Sequence, residues 1–195
     1  MTSSRSPRPQ TRGINMKIAF SGTGSISKIH ALAARTLGAQ LVAVVNHRGE
    51  SMAQFAQQFG IARQHKDVGE MLRAGGVEVL VVGTPNYLHA PETIAALRAG
   101  VHVLVEKPMA LNAAEARAML DAGANAPALL LVAHCWRFDQ EVLWLRARAQ
   151  AGELGQIIRT KGYGVHANWG PTGWFTEARF AGGGALATSA TPPPM

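Results

Sequence analysis

The sequence predicts an α/β fold in which a doubly wound parallel sheet is followed by the start of an incomplete, open-sheet α/β domain. Two observations support this prediction. Short apolar runs alternate with segments of helical period, which is the strand-helix-strand rhythm of a parallel sheet. From Gly155 onward the rhythm gives way to β-branched and aromatic residues, which favour a second sheet. We therefore expect a first domain at residues 16–135 and the beginning of a second at residues 136–195.

Length and composition exclude several classes of protein. The chain has 195 residues, of which 47% are hydrophobic and 16% are charged, so most of it can bury a core and is not expected to be disordered. No apolar run approaches the ~20 residues that span a bilayer, so no membrane association is predicted. The net charge of +7 comes from scattered arginines without interleaved aromatic residues, which disfavours a nucleic-acid partner.

Residues 1–15 precede the first apolar run. They are rich in Ser, Pro and Arg and have no apolar period, so they are predicted to form a disordered tail. Because Met16 directly begins the first strand, we expect that Met16 could be the start of translation instead of Met1. Cys135 is the only cysteine, and the N-terminus lacks the apolar core of a secretory signal. Both features favour a reducing cytoplasm.

A predicted strand at residues 18–20 is followed by a tight turn that contains Gly22 and Gly24. The rest of the predicted fold is organised around this turn. Glycines allow the backbone to turn sharply and leave room for a phosphate to approach it. The helix that follows has amide groups without partners in its first turn and carries the positive end of its dipole there. The turn could therefore receive a pyrophosphate, although a glycine pair after a strand is often only a turn.

The first helix is predicted from Ile26, Ile29 and Ala33, which share one face at helical spacing. The pattern Gly22-x-Gly24-x-x-Ser27 departs from the dinucleotide fingerprint at its third position, where Gly or Ala normally lets the helix pack closely on the strand. Ser27 is small enough to serve in that position.

A second strand at residues 41–45 ends where coenzyme selectivity would be decided. An acidic residue at this point would hold the ribose 2′-hydroxyl of NAD, whereas the chain has Asn46-His47-Arg48 and no carboxylate until Glu50. Arg48 could instead pair with a 2′-phosphate. This favours NADP, with NAD still possible, and the alternative interpretation of Arg48 is a solvated loop arginine.

The next elements continue the alternation. We expect a helix at residues 51–59, a short helix after Asp67 and a strand at residues 77–82. The loop Thr84-Pro85-Asn86-Tyr87-Leu88-His89 follows at the carboxyl end of that strand, which is where ligands bind in open parallel sheets. From the residues alone, the favoured interpretation of Asn86 and His89 is a turn and a helix cap rather than a ligand site.

A buried strand at residues 101–105 ends in Glu106-Lys107-Pro108, and Pro108 restricts the backbone of Lys107 to non-helical geometry. Asn112 and Glu115 are spaced as a capping box for the next helix. The last strand of the first sheet is predicted at residues 128–133, before His134-Cys135-Trp136-Arg137-Phe138. Without an organised base, Cys135 is interpreted as a packed thiol.

The final third of the chain begins with a helix that has Val142, Leu145 and Ala149 on one face. Residues 157–169 then predict a strand of the second sheet. A glycine-rich stretch from Gly182 leads into a polar ending closed by three prolines, which cannot continue a sheet.

Taken in order, these motifs resemble the glucose-fructose oxidoreductase, inositol dehydrogenase and MocA (Gfo/Idh/MocA) family of NAD(P)-dependent enzymes. The resemblance covers about residues 16–187. It rests on five motifs, which are Gly22-Thr23-Gly24-Ser25-Ile26-Ser27 with His30, Thr84-Pro85-Asn86-Tyr87-Leu88-His89, Glu106-Lys107-Pro108, Trp136-Arg137-Phe138 and Gly152-Glu153-Leu154-Gly155. It implies a Rossmann domain followed by an α/β domain whose open sheet covers the active site and often mediates oligomers. It also implies hydride transfer between a nicotinamide and a sugar, polyol or related carbonyl compound.

The resemblance also implies roles for individual residues. The cofactor-binding residues would be Gly22, Thr23, Gly24, Ser25 and Ile26 at the pyrophosphate, Asn46, His47 and Arg48 at the adenosine ribose, and Thr84, Asn86 and His89 at the inner edge of the cofactor. Glu106 and Lys107 would lie beside the nicotinamide and substrate, with Trp136 and Arg137 lining the same pocket. Lys107 would be catalytic, because its ammonium would stabilise negative charge developing on the reacting oxygen. No metal ligand is implied.

The sequence departs from the family pattern after Ala187. In the family, the glycine-rich stretch leads into an Asp-x-Gly-x-x-x-His-type segment whose His acts with the lysine in proton transfer, whereas here Thr188 and the proline-rich ending follow. We therefore expect a truncated, impaired enzyme in which proton transfer loses roughly 10²- to 10⁴-fold. The alternatives are a nucleotide-binding module or redox sensor without turnover, and a gene remnant. A partial sheet would also favour a homo-oligomer or aggregation.

Overall fold

A computed structural model describes residues 15–46, 48–161 and 173–182 of the chain. In chain order the elements are β1 (Lys17–Ser21), α1 (Ser25–Thr36), β2 (Gln40–Val45), α2 (Gly49–Phe59), β3 (Arg63–His65), α3 (Val68–Ala74), β4 (Val79–Val82), α4 (His89–Arg98), β5 (His102–Glu106), α5 (Ala113–Ala124), β6 (Leu130–Ala133), α6 (Gln140–Gln150) and α7 (Ala178–Ala181), with 3-10 turns at Asn86–Leu88, Cys135–Phe138 and Gly173–Thr176. The contacts divide the chain into two units between Gly83 and Thr84. The domain boundary predicted after residue 135 stays a prediction.

The strands form a six-stranded sheet of order β3-β2-β1-β4-β5-β6. In the first unit β2 and β4 both pair with β1, β3 pairs with β2, and every one of these pairings is parallel. In the second unit β5 and β6 pair in parallel. The chain builds outward from β1 to β3 and then returns to the other side of β1, so the strand order reverses there. The predicted α/β class with a doubly wound parallel sheet is confirmed.

The first helix packs with a different face from the one predicted. The buried residues of α1 are Ser27, Ala31 and Ala34, whereas Ile29 is 62% exposed. Small side chains let the helix lie close to the sheet, and branched residues on that face would hold it away. The helix is therefore confirmed, but the prediction that its apolar face contains Ile29 is wrong, because Ile29 faces solvent.

An aromatic cluster forms much of the core of the first unit. Phe55 of α2 contacts Phe20 of β1 and Phe59 at the end of α2, with ring centroids 5.6 Å and 4.7 Å apart. Phe20 and Phe55 are almost fully buried, and burying one such side chain contributes about 1.5–3 kcal/mol. The contact between Phe55 and Phe20 therefore joins α2 to β1, and Phe59 extends the cluster along the helix.

The second unit buries Leu97 of α4, Met119 of α5 and Val103 of β5. Its capping box is confirmed, because Asn112 Oδ1 accepts a hydrogen bond from the Glu115 N–H at 3.0 Å and Glu115 Oε2 accepts one from the Leu111 N–H at 3.0 Å. The first bond satisfies the Glu115 amide in the first turn of α5, and the second satisfies the Leu111 amide just before the N-cap Asn112.

The end of the second unit exposes many apolar side chains. No residue of α6 is buried, Leu131 of β6 is 56% exposed, and Cys135, predicted to be packed, is exposed. Residues 157–161 form no strand, and the rest of the predicted strand at residues 157–169 lies outside the described residues.

Over the described ranges, no helix has both the length and the apolar character needed to cross a bilayer.

Candidate functional site

The turn after β1 depends on its two glycines in different ways. Gly22 has a φ of +90°, in the left-handed region that side chains rarely adopt, and its N–H donates to the carbonyl of Val45 at 2.9 Å. Gly24 has an extended backbone with a φ of −69°, and a Cβ added to it would meet no atom within 4 Å. Gly22 is therefore required by the fold, whereas Gly24 borders open space that a ligand could enter.

The helix start behind Gly24 is unusual among the longer helices of the described chain. In α3, α5 and α6 the side chains of Asp67, Asn112 and Asp139 accept hydrogen bonds from first-turn amides, and α2 and α4 carry an acidic residue in that turn. The N-terminus of α1 has neither a side-chain cap nor an acidic residue. Its first amides and the positive end of its dipole suit an anionic group such as the diphosphate of a dinucleotide.

Ser27, at the third position of the glycine pattern, is fully buried. It packs against Gly83 at the end of β4, where an added Cβ would come within 2.5 Å of Ser27 Oγ. Two small residues thus allow α1 to approach β4 closely, which is the role that Gly or Ala has in the dinucleotide fingerprint.

Three polar side chains form a cluster at the carboxyl ends of β1 and β2. Asn46 Nδ2 donates to Thr23 Oγ1 at 2.6 Å and to Ser51 Oγ at 2.7 Å, and Thr23 Oγ1 donates to Ser51 Oγ at 3.1 Å. Arg48 follows at the start of α2, where its side chain is exposed and has no carboxylate partner within the described ranges. His47 lies outside the described residues.

In the second unit, the predicted site residues after β4 form hydrogen bonds with other elements of that unit. Thr84 Oγ1 donates to Glu92 Oε2 at 3.1 Å. Asn86 is buried, and its Nδ2 donates to the carbonyl of Ala181 at 2.8 Å. The amide of Asn86 therefore holds α7 beside the turn that follows β4.

His89 connects the loop after β4 with the loop after β5. The residue is 1% exposed, and its Nδ1 and Nε2 lie 2.8 Å and 2.9 Å from the carbonyl oxygens of Pro108 and Thr84. A carbonyl oxygen only accepts, so a neutral imidazole can donate one of these hydrogen bonds and an imidazolium can donate both. Burial lowers the pKa of His89 below its usual range, and the two carbonyls and the charge of Glu106 oppose that effect.

The lowered pKa predicts how stability depends on pH. The unfolded chain takes up a proton on His89 at about pH 6.5, and the folded chain takes it up only at lower pH, so the unfolded state binds more protons between the two pKa values. The contribution of His89 to the free energy of unfolding should therefore be complete above about pH 6.5. At lower pH it should decrease, by at most ~1.4 kcal/mol per pH unit. Urea unfolding of the wild type and His89→Gln from pH 5 to 7.5 measures the difference, and equal pH dependence in both proteins would contradict it.

Lys107 lies directly after β5, next to the buried Glu106. Lys107 is half-buried, and its backbone N–H donates to Glu106 Oε2 at 3.1 Å. Trp136 and Arg137, predicted to line the same pocket, are exposed in the 3-10 turn after β6, where Trp136 has 63% of its surface accessible.

The structure therefore brings the predicted residues together in two groups, one in each unit. Thr23, Asn46 and Arg48 cluster around Ser51 in the first unit, and Thr84, His89 and the Glu106-Lys107-Pro108 segment are linked in the second. Reasoning from sequence missed Ser51, although a serine in the first turn of a helix is a recognisable signal for a bond to nearby backbone. Within the described ranges, no group of three or more His, Cys, Asp or Glu side chains could hold a metal ion.

Comparison with known protein families matches residues 16–134 to the model described as "Oxidoreductase family, NAD-binding Rossmann fold". The chain belongs to the Gfo/Idh/MocA family. The match covers more than half of the chain and includes the glycine turn, the loop after β4 and the Glu106-Lys107-Pro108 segment. The predicted family is therefore confirmed.

Two curated relatives extend the similarity beyond residue 134. D-glucoside 3-dehydrogenase of Escherichia coli is 33% identical over 175 residues, covering 88% of this chain and 50% of that protein. Levoglucosan dehydrogenase of Pseudarthrobacter phenanthrenivorans is 29% identical over 192 residues, covering 91% of this chain and 49% of that protein. The chain thus spans about half the length of the curated relatives it matches.

Two solved structures of dehydrogenases are also similar to this chain, which covers half or less of each of them. Levoglucosan dehydrogenase in complex with NADH and L-sorbose superposes with a TM-score of 0.78 at 27% identity, covering 90% of this chain and 50% of that one. The WlbA dehydrogenase of Bordetella pertussis in complex with NADH and UDP-GlcNAcA gives a TM-score of 0.68 at 28% identity, covering 73% of this chain and 41% of that one.

Proposed function

We propose that this chain binds a nicotinamide dinucleotide and supplies the coenzyme-binding part of a dehydrogenase for a sugar, polyol or related carbonyl compound. The observation that carries the proposal is the N-terminus of α1, which lacks both a side-chain cap and an acidic residue and lies behind open space at Gly24. NADH in complexes of related dehydrogenases supports the choice of ligand.

In the first unit, the diphosphate would accept hydrogen bonds from first-turn amides such as those of Ser25 and Ile26. The extended backbone at Gly24 would let it approach without meeting a side chain. Gly22 would keep the turn tight through its positive φ. Thr23 and Asn46 lie beside this turn, near where the adenosine ribose would bind.

In the second unit, Lys107 would act on the substrate. The bound coenzyme supplies or accepts the hydride. The Lys107 ammonium would donate a hydrogen bond to the reacting oxygen and stabilise the negative charge that develops there. Glu106, whose carboxylate accepts from the Lys107 N–H, would fix the backbone of this segment. The contacts of Thr84, Asn86, His89, Trp136 and Arg137 with coenzyme or substrate stay predictions.

NADP is the proposed preference over NAD. Arg48 is exposed at the start of α2, whereas a coenzyme-binding site selective for the ribose 2′-hydroxyl normally has a carboxylate after the second strand. Its guanidinium could bind a 2′-phosphate through two parallel hydrogen bonds.

Arg48→Ala is therefore expected to weaken NADPH binding by about 10- to 100-fold, the range for hydrogen bonds to charged groups. NADH binding should change little, because NADH lacks the 2′-phosphate. Fluorescence titration of both reduced coenzymes measures the two dissociation constants. Arg73→Ala, which removes an exposed arginine at the end of α3 in the same unit, is the control. Equal losses for the two coenzymes would contradict the assignment of Arg48.

The proposed function itself is tested by titrating the wild-type chain with NADH and NADPH and then assaying oxidation of a panel of sugars and polyols. Binding followed by turnover supports a dehydrogenase. A folded chain that binds neither coenzyme would overturn the proposal.

A nucleotide-binding module or redox sensor without turnover is the second candidate. The exposure of Trp136 and of the apolar side chains on α6 favours it, because a substrate pocket normally buries such residues. Coenzyme binding without turnover on the panel would select it. The sugar or polyol substrate, a homo-oligomeric state and a cytoplasmic location are likewise proposals.

A further inference from the structure

The loop between β2 and α2 holds Arg48 through both polar groups of its backbone. The Arg48 N–H donates to Asn46 Oδ1 at 3.4 Å. The Arg48 carbonyl accepts from Ser51 Oγ at 3.2 Å and also from the Met52 N–H at 3.1 Å. Arg48 is the N-cap residue of α2. Its guanidinium carries only donors and so cannot cap the first-turn amides, and the exposed side chain extends from a backbone that these hydrogen bonds hold in place.

The donors and acceptors of this cluster form one consistent set. Both hydrogens on Asn46 Nδ2 are used, one by Thr23 and one by Ser51. If the amide were turned over, Nδ2 would face the Arg48 N–H and two donors would oppose each other, so the network determines the orientation of Asn46. Ser51 Oγ accepts from both Asn46 and Thr23 and donates its single hydrogen to Arg48. Ser51 is therefore the member that connects the other two side chains to the carbonyl of Arg48.

Thr23 lies between Gly22 and Gly24, so the cluster also joins the loop of Arg48 to the proposed diphosphate turn. All three side chains are half-buried, which makes their hydrogen bonds less open to competition from water than exposed ones. The Cα of Arg48 is thereby held at a set position relative to the glycine turn. A side chain that starts from a fixed point loses less conformational freedom when it binds a ligand.

We propose that Ser51 is a positioning residue for Arg48 and helps to determine the preference for a coenzyme with a 2′-phosphate. This inference rests on the proposed function, because it assumes that Arg48 binds that phosphate. Ser51 need not touch the coenzyme itself. It acts by holding the backbone from which the guanidinium extends.

The test compares the ratio of the NADPH and NADH dissociation constants in full-length variants. Ser51→Ala should reduce the preference for NADPH by about 3- to 10-fold, the effect of one ordinary hydrogen bond. Ser51→Thr keeps the hydroxyl and should retain the ratio of the wild type. Thr36→Ala is the matched control, because Thr36 Oγ1 also donates to a backbone carbonyl of its own neighbourhood, that of Leu32 at 2.9 Å, but at the far end of α1.

A merely structural serine would lower stability and would affect both coenzymes alike, so the ratio separates the two roles. An unchanged ratio in Ser51→Ala, or the same fall in Ser51→Thr, would overturn the inference. So would a fall in Thr36→Ala equal to that in Ser51→Ala.

The double variant with Arg48→Ala distinguishes failure of this inference from failure of the proposed function. If Ser51 acts through Arg48, Ser51→Ala should have no further effect on the ratio once Arg48 is alanine. If Arg48→Ala alone leaves the ratio unchanged, the 2′-phosphate role of Arg48 fails and this inference falls with it. If Arg48→Ala lowers the ratio and Ser51→Ala does not, only the role of Ser51 is wrong.

Discussion

Replacing Gly24 with aspartate is expected to weaken the binding of NADH and NADPH by about 100- to 1000-fold, as for two like charges a few ångströms apart near a protein surface. The carboxylate would accept the first-turn amides of α1 and repel the diphosphate from them. The backbone of Gly24 is extended and a Cβ there meets no atom within 4 Å, so the fold can accommodate the new side chain. Isothermal titration of both coenzymes measures the loss.

The same substitution should leave the protein as stable as the wild type or stabilise it by a few tenths of a kcal/mol, because aspartate caps a helix better than glycine. Gly24→Asn is the matched control, since its side chain has nearly the same shape and caps the same amides without a charge. We expect it to lose less affinity than Gly24→Asp. Coenzyme affinities in Gly24→Asp that match the wild type would show that the diphosphate does not bind at α1.

Of the substitutions proposed for this chain, removal of the His89 side chain is expected to lower the free energy of unfolding the most. His89→Ala should lower the free energy of unfolding by about 3–5 kcal/mol, because it leaves a buried cavity and removes the ring N–H that donates to the carbonyl of Thr84 or Pro108. His89 is 1% exposed, and both ring nitrogens are within 2.9 Å of those carbonyls. Urea unfolding followed by circular dichroism gives the difference.

His102→Ala is the control for that measurement. His102 is a histidine of the same unit that also bonds to backbone, since its Nδ1 accepts from the Leu129 N–H at 2.9 Å, but the bond is exposed to solvent. His102→Ala should therefore lower the free energy of unfolding by about 1 kcal/mol or less. If the two alanine variants lost similar stability, His89 would not be the link between the loops that follow β4 and β5.

The parts of the fold that depend on short-range patterns could be predicted from sequence. Apolar runs located five of the six strands, and the spacing of Asn112 and Glu115 located the start of α5. Gly22 and Gly24 located the turn after β1. In each case the decisive residues lie within a few positions of one another, so the local pattern and the local structure coincide.

The rest depended on contacts between distant residues. β3 consists of Arg63, Gln64 and His65, which have no apolar pattern. It pairs with β2, and the Arg63 guanidinium donates to the carbonyls of Val42, Gly75 and Gly76 at 3.1, 2.7 and 3.1 Å. The buried face of α1 was missed because the close approach of Ser27 to Gly83 selects small residues over Ile29.

The link between Ser51 and Arg48 was missed for a related reason. Asn46, Arg48 and Ser51 lie close in sequence, but the cluster is completed by Thr23 from another loop. No pattern within one segment contains that partner. The polar partners of His89, which are backbone carbonyls, likewise have no sequence signature at all.

The bare start of α1 has one more consequence. With glycine at its N-cap, α1 forgoes only a few tenths of a kcal/mol that a serine or aspartate at Gly24 could contribute, and a ligand that binds there can add more stability than this according to its concentration. If a dinucleotide binds there as proposed, part of the stability of the folded chain would come from the ligand. The melting temperature of the protein would then rise with the concentration of the coenzyme.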